Sequence, residues 1–207
     1  MIGYIVIYVL IGYLLGSIPS AVWIGKTLYG TDVREHGSKN AGATNTFRIL
    51  GRKAGIIVLL MDVIKGVLAV LLPVWFIHGL HPEDLIRLRL IVGAAVFLGH
   101  VFPVFAQFRG GKGVATSLGI VIGIHPVAAA ICLGVFLVVF ILSQYVSLGA
   151  ITAATLFPIA IIFIFRSESL ALNLFSVIIG ATVIFTHKKN IARLLKGEES
   201  KMNLLKR

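Results

Sequence analysis

An all-α fold that crosses a membrane several times is predicted by three observations on this 207-residue sequence. Apolar residues make up 58% and charged residues only 13%, against roughly 25% charged residues in an ordinary soluble domain. Apolar stretches of membrane-spanning length recur from one end to the other. The charges are strongly biased, with 19 Lys and Arg against 8 Asp and Glu, a formal net charge of +11. Together these exclude a disordered chain, a soluble globular domain and a coiled coil. Basic residues spread among apolar runs fit anionic lipid headgroups or phosphorylated small molecules, and no nucleic acid partner is expected. The single cysteine, Cys132, sits in an apolar run, which rules out an internal disulfide or a thiolate metal cluster within the chain. The first charged side chain is Lys26, so a signal-peptide n-region is missing and residue 1 is expected to belong to the mature protein.

A span needs about 20 mostly apolar residues to cover roughly 30 Å of hydrocarbon. Seven stretches qualify, and residues 1–207 read as a single seven-helix membrane domain. Span 1 (2–23) carries no charge, and Ser17, Pro19 and Ser20 beside the small Gly16 point to a close helix contact. Span 2 (54–77) contains Asp62 and Lys65, which pair on one helix face as either a packing lock or a site. Span 3 (88–106) ends on Gly99-His100 and Pro103. Span 4 (111–124) is short, and a re-entrant segment is the alternative. Pro126 opens span 5 (126–142) after a tight turn, because proline is tolerated in a first helical turn. Span 6 (146–165) starts near Ser147, whose hydroxyl would serve as its N-cap. Span 7 (170–186) runs into His187-Lys-Lys-Asn190. The tail, 187–207, reads as a short amphipathic surface helix, with Ile191, Leu194 and Leu195 apolar and Lys188, Arg193 and Lys196 polar.

Charge sets the orientation. Fifteen basic residues fall after span 1, after span 3 and in the tail, against Arg87, Arg89 and Arg166 in the opposite set. The positive-inside rule places the first group in the cytoplasm and the N-terminus outside. Without a crossing by span 4, the seven basic residues of the tail would lie outside.

Two regions carry chemistry. The first, Arg34 to Lys53, contains Gly37, Gly42, Gly51 and Gly55 with Ser38, Asn40, Thr44 and Asn45 as neutral donors. Arg48 and Arg52 lie four apart, so a continuous helix would present two guanidinium forks on one face. Small donors with arginine suit an oxyanion; a loop that merely set topology would need neither asparagines nor glycines. The second runs from Gly99-His100 through Pro103 to Phe108-Arg-Gly-Gly-Lys-Gly-Val-Ala-Thr116. Gly110, Gly111 and Gly113 around Lys112 look like a phosphate cradle at a helix start. It is not a Walker A loop, because Ala106 and Gly113 stand where that pattern needs Gly and Ser or Thr. No metal or cofactor is called for, no Gly-x-Ser-x-Gly elbow occurs, and only Asp32 and Glu35 are carboxylates near the basic motifs.

These motifs, taken together, resemble those of the bacterial integral-membrane acyl-phosphate:glycerol-3-phosphate acyltransferases. The resemblance rests on Gly16-Ser-x-Pro19, Gly37-Ser-Lys-Asn-Ala-Gly-Ala-Thr-Asn45, Gly99-His-x-x-Pro103 with Gly110-Gly-Lys-Gly113, Tyr145-Val-Ser-Leu148 and His187-x-x-Asn190. It implies seven helices, a bacterial membrane location with the site at the cytoplasmic face, and transfer of an acyl group from acyl phosphate to sn-glycerol 3-phosphate. The products are lysophosphatidate and inorganic phosphate, the first step of phospholipid synthesis. By the same resemblance Ser38, Arg48, Lys112, Ser147, His187 and Asn190 line the site. Asn40, Thr44, Asn45, Arg52, His100, Gly110, Gly111, Gly113 and Thr116 are further candidates for holding substrate phosphate. An acyl phosphate is already activated, so the expected chemistry is direct attack without an acyl-enzyme, the proton passing to substrate phosphate or to His100 or His187. A carrier for phosphate-like anions and a lipid-binding scaffold are the alternatives. Motifs gathered on one side, with no internal repeat, favour the enzyme.

Overall fold

The computed structural model describes residues 2–202, and no strand occurs among them. The helices are α1 (Ile2–Gly16), α2 (Ser20–Tyr29), α3 (Ala43–Leu50), α4 (Arg52–Phe76), α5 (Pro82–Val101), α6 (Val114–Ile124), α7 (Pro126–Ser143), α8 (Val146–Ile159), α9 (Leu170–Thr186) and α10 (Lys188–Leu195). A 3₁₀ turn, Val104–Ala106, follows α5, and a π turn, Ala160–Ile164, continues α8. The chain divides into two compact units, one ending at Ile124 and the other beginning at His125.

Four helical segments are long and apolar enough to cross a membrane: Arg52–Phe76, Pro82–Ala106, Pro126–Ser143 and Val146–Ile164. The number rises to six if α1 with α2, bent by 41°, and α9 with α10, bent by 59°, each count as one span. The first bend has a local cause. Pro19 has no N–H to donate, and the ladder breaks over Ser17-Ile18-Pro19. The sequence's span 1 is therefore two helices, the second reaching Tyr29. Span 4 corresponds to α6, whose 11 residues extend only about 16 Å.

In the first unit, α1 lies on α5 and α4 lies on α6. Both seams are backbone against backbone. A side chain at Gly16 would overlap the Val96 carbonyl, and one at Gly99 the Tyr13 carbonyl. Gly66 and Gly119 do the same for α4 and α6, meeting the Thr116 and Val63 carbonyls. Lipid tails give apolar helices no solvent-driven reason to associate, so close approach at small residues is what holds such helices together. The outward faces agree, with Leu60, Ile64, Leu142, Phe163 and Ile178 largely exposed.

The buried charges of α4 and α5 are paired. Asp62 and Lys65 form the expected ion pair at 2.8 Å, and Ser20 Oγ donates to the same carboxylate at 2.9 Å. Lys65 Nζ also donates to the Ile18 carbonyl at the α1–α2 break, at 2.9 Å, beside the Ser20 N–H at 3.0 Å. Arg89, counted by sequence with the outer loop charges, lies inside α5. Its guanidinium donates to the carbonyls of Val70 and Gly123, closing the end of α6.

The second unit stacks α7 on α8 and α8 on α9. Pro126 opens α7 as expected, and the His125 ring accepts from the Ala128 N–H at 3.2 Å as its N-cap. Ser147 is not an N-cap: Tyr145 holds that position and makes no side-chain cap bond. α10 is a short helix at the start of the tail, as expected, with Ile191 and Leu194 half-buried and Lys188 and Lys189 exposed. Asn203, Leu204, Leu205, Lys206 and Arg207 lie outside the described residues.

Candidate active site

The loop between α2 and α3 is organised by Asp32 and Asn45. Arg34 holds the Asp32 carboxylate with Nε at 3.0 Å and Nη2 at 2.7 Å, and Lys26 adds an ion pair at 3.2 Å. The Arg34 hydrogen bond keeps the Asp32 carboxyl well below the usual carboxylate range, against the opposing effect of burial. Arg34 also donates to the Ala106 carbonyl at 2.9 Å, tying the loop to the turn after α5. Asp32 is thus spoken for by structural pairing, and Glu35 is exposed.

Asn45, a candidate ligand by sequence, is 2% exposed. Its Nδ2 donates to the carbonyls of Val33 and His36 at 2.7 and 3.1 Å, and its Oδ1 accepts from the Ser38 N–H at 2.9 Å. The amide therefore staples the loop and presents Ser38, which is exposed. Asn40 and Thr44 are half-buried beside it.

The pairing of Arg48 and Arg52 on one helix face is not found. Gly51, at φ +86°, stops α3, and α4 starts at Arg52. That left-handed value is open to glycine and strained for other residues. Both arginines are exposed, but they project from different helices.

The glycines of Gly110-Gly-Lys-Gly113 serve packing before anything else. Side chains at 110 and 111 would overlap the His100 carbonyl and ring, and one at 113 would enter the Phe97 ring. The Gly111 N–H donates to the His100 carbonyl at 3.2 Å, so it is not a free phosphate donor in this arrangement. Lys112 is half-buried within this turn. The two motifs meet here, because a Cβ at Gly111 would lie 3.0 Å from the Ala41 carbonyl. His100 itself is 6% exposed, with Nδ1 3.6 Å from Asp62 and Nε2 under Gly111. Thr116 is wholly buried in the α4–α6 seam, and its hydroxyl makes no hydrogen bond to the protein.

In the second unit, Ser147 and Asn190 converge on a residue that sequence reasoning missed. Ser147 Oγ and Asn190 Nδ2 both donate to Glu199 Oε1, at 2.7 and 2.6 Å, and Arg193 Nε donates to Oε2 at 2.6 Å. Burial alone would raise the Glu199 carboxyl, but the hydrogen bonds from Asn190, Arg193 and Ser147 outweigh it and hold it below its ordinary value. His187, 3% exposed, sets Nδ1 2.8 Å from the Val183 carbonyl at the α9–α10 bend. The signal for Glu199 was Gly197, a helix stop that turns the tail back.

Apolar outer faces around paired polar residues, with helices long enough to span, define a polytopic membrane protein. Residues 6–197 match the Glycerol-3-phosphate acyltransferase family. The glycerol-3-phosphate acyltransferase of Fusobacterium nucleatum subsp. nucleatum is 46% identical, over 94% of this chain and 96% of its own length. That of Chlorobium phaeobacteroides (strain BS1) is 42% identical, over 96% of each. Two crystal structures of PlsY (YgiH), an integral membrane glycerol 3-phosphate acyltransferase, superpose closely. Its glycerol 3-phosphate form gives a TM-score of 0.88 at 37% identity, and its lysophosphatidic acid form 0.84 at 36%, each covering 98% of this chain and 97% of the other. The chain belongs to the glycerol-3-phosphate acyltransferase family and is a multi-pass membrane acyltransferase.

Proposed function

We propose that the enzyme moves the acyl group of a long-chain acyl phosphate to the 1-hydroxyl of sn-glycerol 3-phosphate, releasing lysophosphatidate and inorganic phosphate as the first step of phospholipid synthesis. The observation that carries this reading is the meeting of the two basic, glycine-rich motifs at Ala41 and Gly111. One phosphate would not require two such motifs; a phosphorylated donor and a phosphorylated acceptor would. Membership of the family and the glycerol 3-phosphate and lysophosphatidic acid forms of the solved relative support the acceptor and the product.

In this mechanism the glycerol hydroxyl oxygen attacks the acyl carbonyl carbon. A tetrahedral oxyanion forms, the bond from carbon to the phosphate oxygen breaks, and phosphate leaves. Lys112 and Arg48 balance the phosphate charge, and Ser38 donates a hydrogen bond as negative charge develops. The hydroxyl proton passes to the phosphate dianion, whose second pKa is near 6 by analogy with phosphorylated side chains. Burial of His100 under Gly111 and of His187 against Val183 supports the substrate over either histidine as the base. Direct attack is supported by the hydrogen bonds of Ser147 and Ser20, whose hydroxyls donate to the carboxylates of Glu199 and Asp62, and by the burial of Cys132 in α7. His187 and Asn190 complete the proposed set. The proposal includes seven crossings, with α6 as the fourth, the N-terminus outside, and the C-terminus and site on the cytoplasmic side.

The test uses purified enzyme and a long-chain acyl phosphate. Phosphate release is expected only with glycerol 3-phosphate present and without added metal, nucleotide or acyl-CoA. Turnover on acyl-CoA alone would overturn the donor. A labelled acyl group trapped on Ser38, Ser147 or Cys132 would overturn direct attack.

A further inference from the structure

We propose that Asp62 and His100 are positioning residues that set the Gly110–Gly113 turn for a substrate phosphate. The inference rests on the reading that this turn, with Lys112, meets phosphate. Asp62 and Lys65 share one turn of α4, so their ion pair by itself joins no two helices. Its reach comes from third partners. Ser20 Oγ, at the start of α2, donates to Asp62 Oδ1 at 2.9 Å, and His100 Nδ1, near the end of α5, lies 3.6 Å from the same oxygen. One carboxylate oxygen therefore gathers groups from α2, α4 and α5. Burying two charges is costly unless their lone pairs and protons find partners, and each partner here belongs to a different stretch of chain.

His100 passes the constraint on to the turn. Its carbonyl accepts from the Gly111 N–H at 3.2 Å, and the same carbonyl lies where a side chain at Gly110 would go. Its ring edge, at Nε2, fills the place of a side chain at Gly111. Backbone and ring of one residue thus bear on two successive glycines, immediately before Lys112. The second side-chain torsion of histidine is soft and roughly two-fold, so packing alone leaves the ring free to turn. A fixed acceptor at Nδ1 removes that freedom, and a turned ring would push on the Gly111 backbone and carry Lys112 with it.

The experiment measures kcat and KM for acyl phosphate and for glycerol 3-phosphate in purified variants, with thermal unfolding in detergent alongside. Asp62→Leu combined with Lys65→Met removes both charges and the acceptor. Asp62→Asn combined with Lys65→Met removes the charges but keeps an oxygen for Ser20 and His100. Replacing a whole buried pair by apolar groups is often neutral for stability, and the Ile18 carbonyl keeps its bond from the Ser20 N–H. Both double variants are therefore expected to fold and unfold like the parent. The leucine double variant should raise KM for a phosphate substrate by about tenfold, the scale of one misplaced hydrogen-bonding group, with kcat changed less. The asparagine double variant recovers most of that loss. His100→Leu reproduces the KM rise and adds little to it in the leucine double variant, because both act through one contact. His100→Asn, whose amide N–H can take the place of Nδ1–H, stays nearer the parent. Unchanged KM in the leucine double variant makes the pair a packing lock and overturns the proposal. An equal KM rise in the two double variants assigns the effect to charge and overturns it as well. If the leucine double variant fails to fold, His100→Leu against His100→Asn decides, and equal KM values overturn the proposal. Full activity in Lys112→Ala overturns the underlying site reading; damage there with parental KM in the Asp62 and His100 variants overturns only this inference.

Discussion

In the proposed mechanism Lys112 and Arg48 balance the charge that two phosphates bring to one carbonyl. Replacing either with alanine is expected to lower kcat/KM by about 10² to 10³, the scale seen when a preorganised donor to developing charge is removed. Ser38→Ala should keep measurable turnover, since it deletes a neutral hydrogen bond rather than a charge. Phosphate release with saturating acyl phosphate separates the three. Asn45→Ala has a different signature, because the amide holds three backbone groups of the loop. It should destabilise the protein by about 1 to 3 kcal/mol, read as a lower unfolding temperature, as well as slowing the reaction. Residue types in the motifs were legible from sequence, but their tasks were divided differently. Asparagine in a glycine-rich loop looks the same whether it meets a ligand or the loop's own carbonyls. Only tertiary geometry separates Asn45, turned inward, from Ser38, turned outward. Asp32 and Glu199 share a pH response as well. Both carboxyls sit below their ordinary values when folded. The stability they confer is therefore complete above the unfolded carboxylate range and lost as pH falls through the folded values. The docked tail should hold at neutral pH and release only in acid, as followed by protease cleavage near Glu198.

At the level of helices, punctuation decides more than hydrophobicity. Gly51 separates α3 from α4 with a backbone conformation that would strain alanine by about 1 to 2 kcal/mol. Gly51→Ala should therefore favour continuation of α3 into α4, lower the unfolding temperature and disturb Arg48 more than Arg52. Restored activity on reverting to glycine, but not on substitution by serine, would be the expected check. The long apolar helices and the Pro126 start were plain in the sequence because apolar length and proline chemistry are local properties. The break at Pro19, the stop at Gly51 and the return at Gly197 were each marked by a residue with several possible meanings. Glycine is used for a turn at 51 and for backbone contact at 16, 66, 99 and 119, and sequence spacing does not separate these uses.

For the whole molecule, the strongest bias in the chain is the distribution of its cations. In a Cys132→Ser background, a cysteine at Lys196 should resist an impermeant thiol reagent in intact cells, while one at Gly79 should react. Labelling at 196 from outside would reverse the proposed orientation and remove the cytoplasmic site with it.

The brevity of α6 bears on the membrane itself. A helix of 11 residues reaches only about half of a hydrocarbon layer roughly 30 Å thick. The proposed topology, with Ile124 at the outer boundary, would set Lys112 below the level of the cytoplasmic surface, where a charge draws water and headgroups towards it or thins the lipid around it. Lipid thickness then becomes a variable of catalysis. In vesicles of graded acyl-chain length, specific activity should be highest in thin bilayers and fall as the membrane thickens, because a thicker layer pulls the surrounding surface away from Lys112. A flat profile would mean that the protein, and not the lipid, absorbs the whole mismatch.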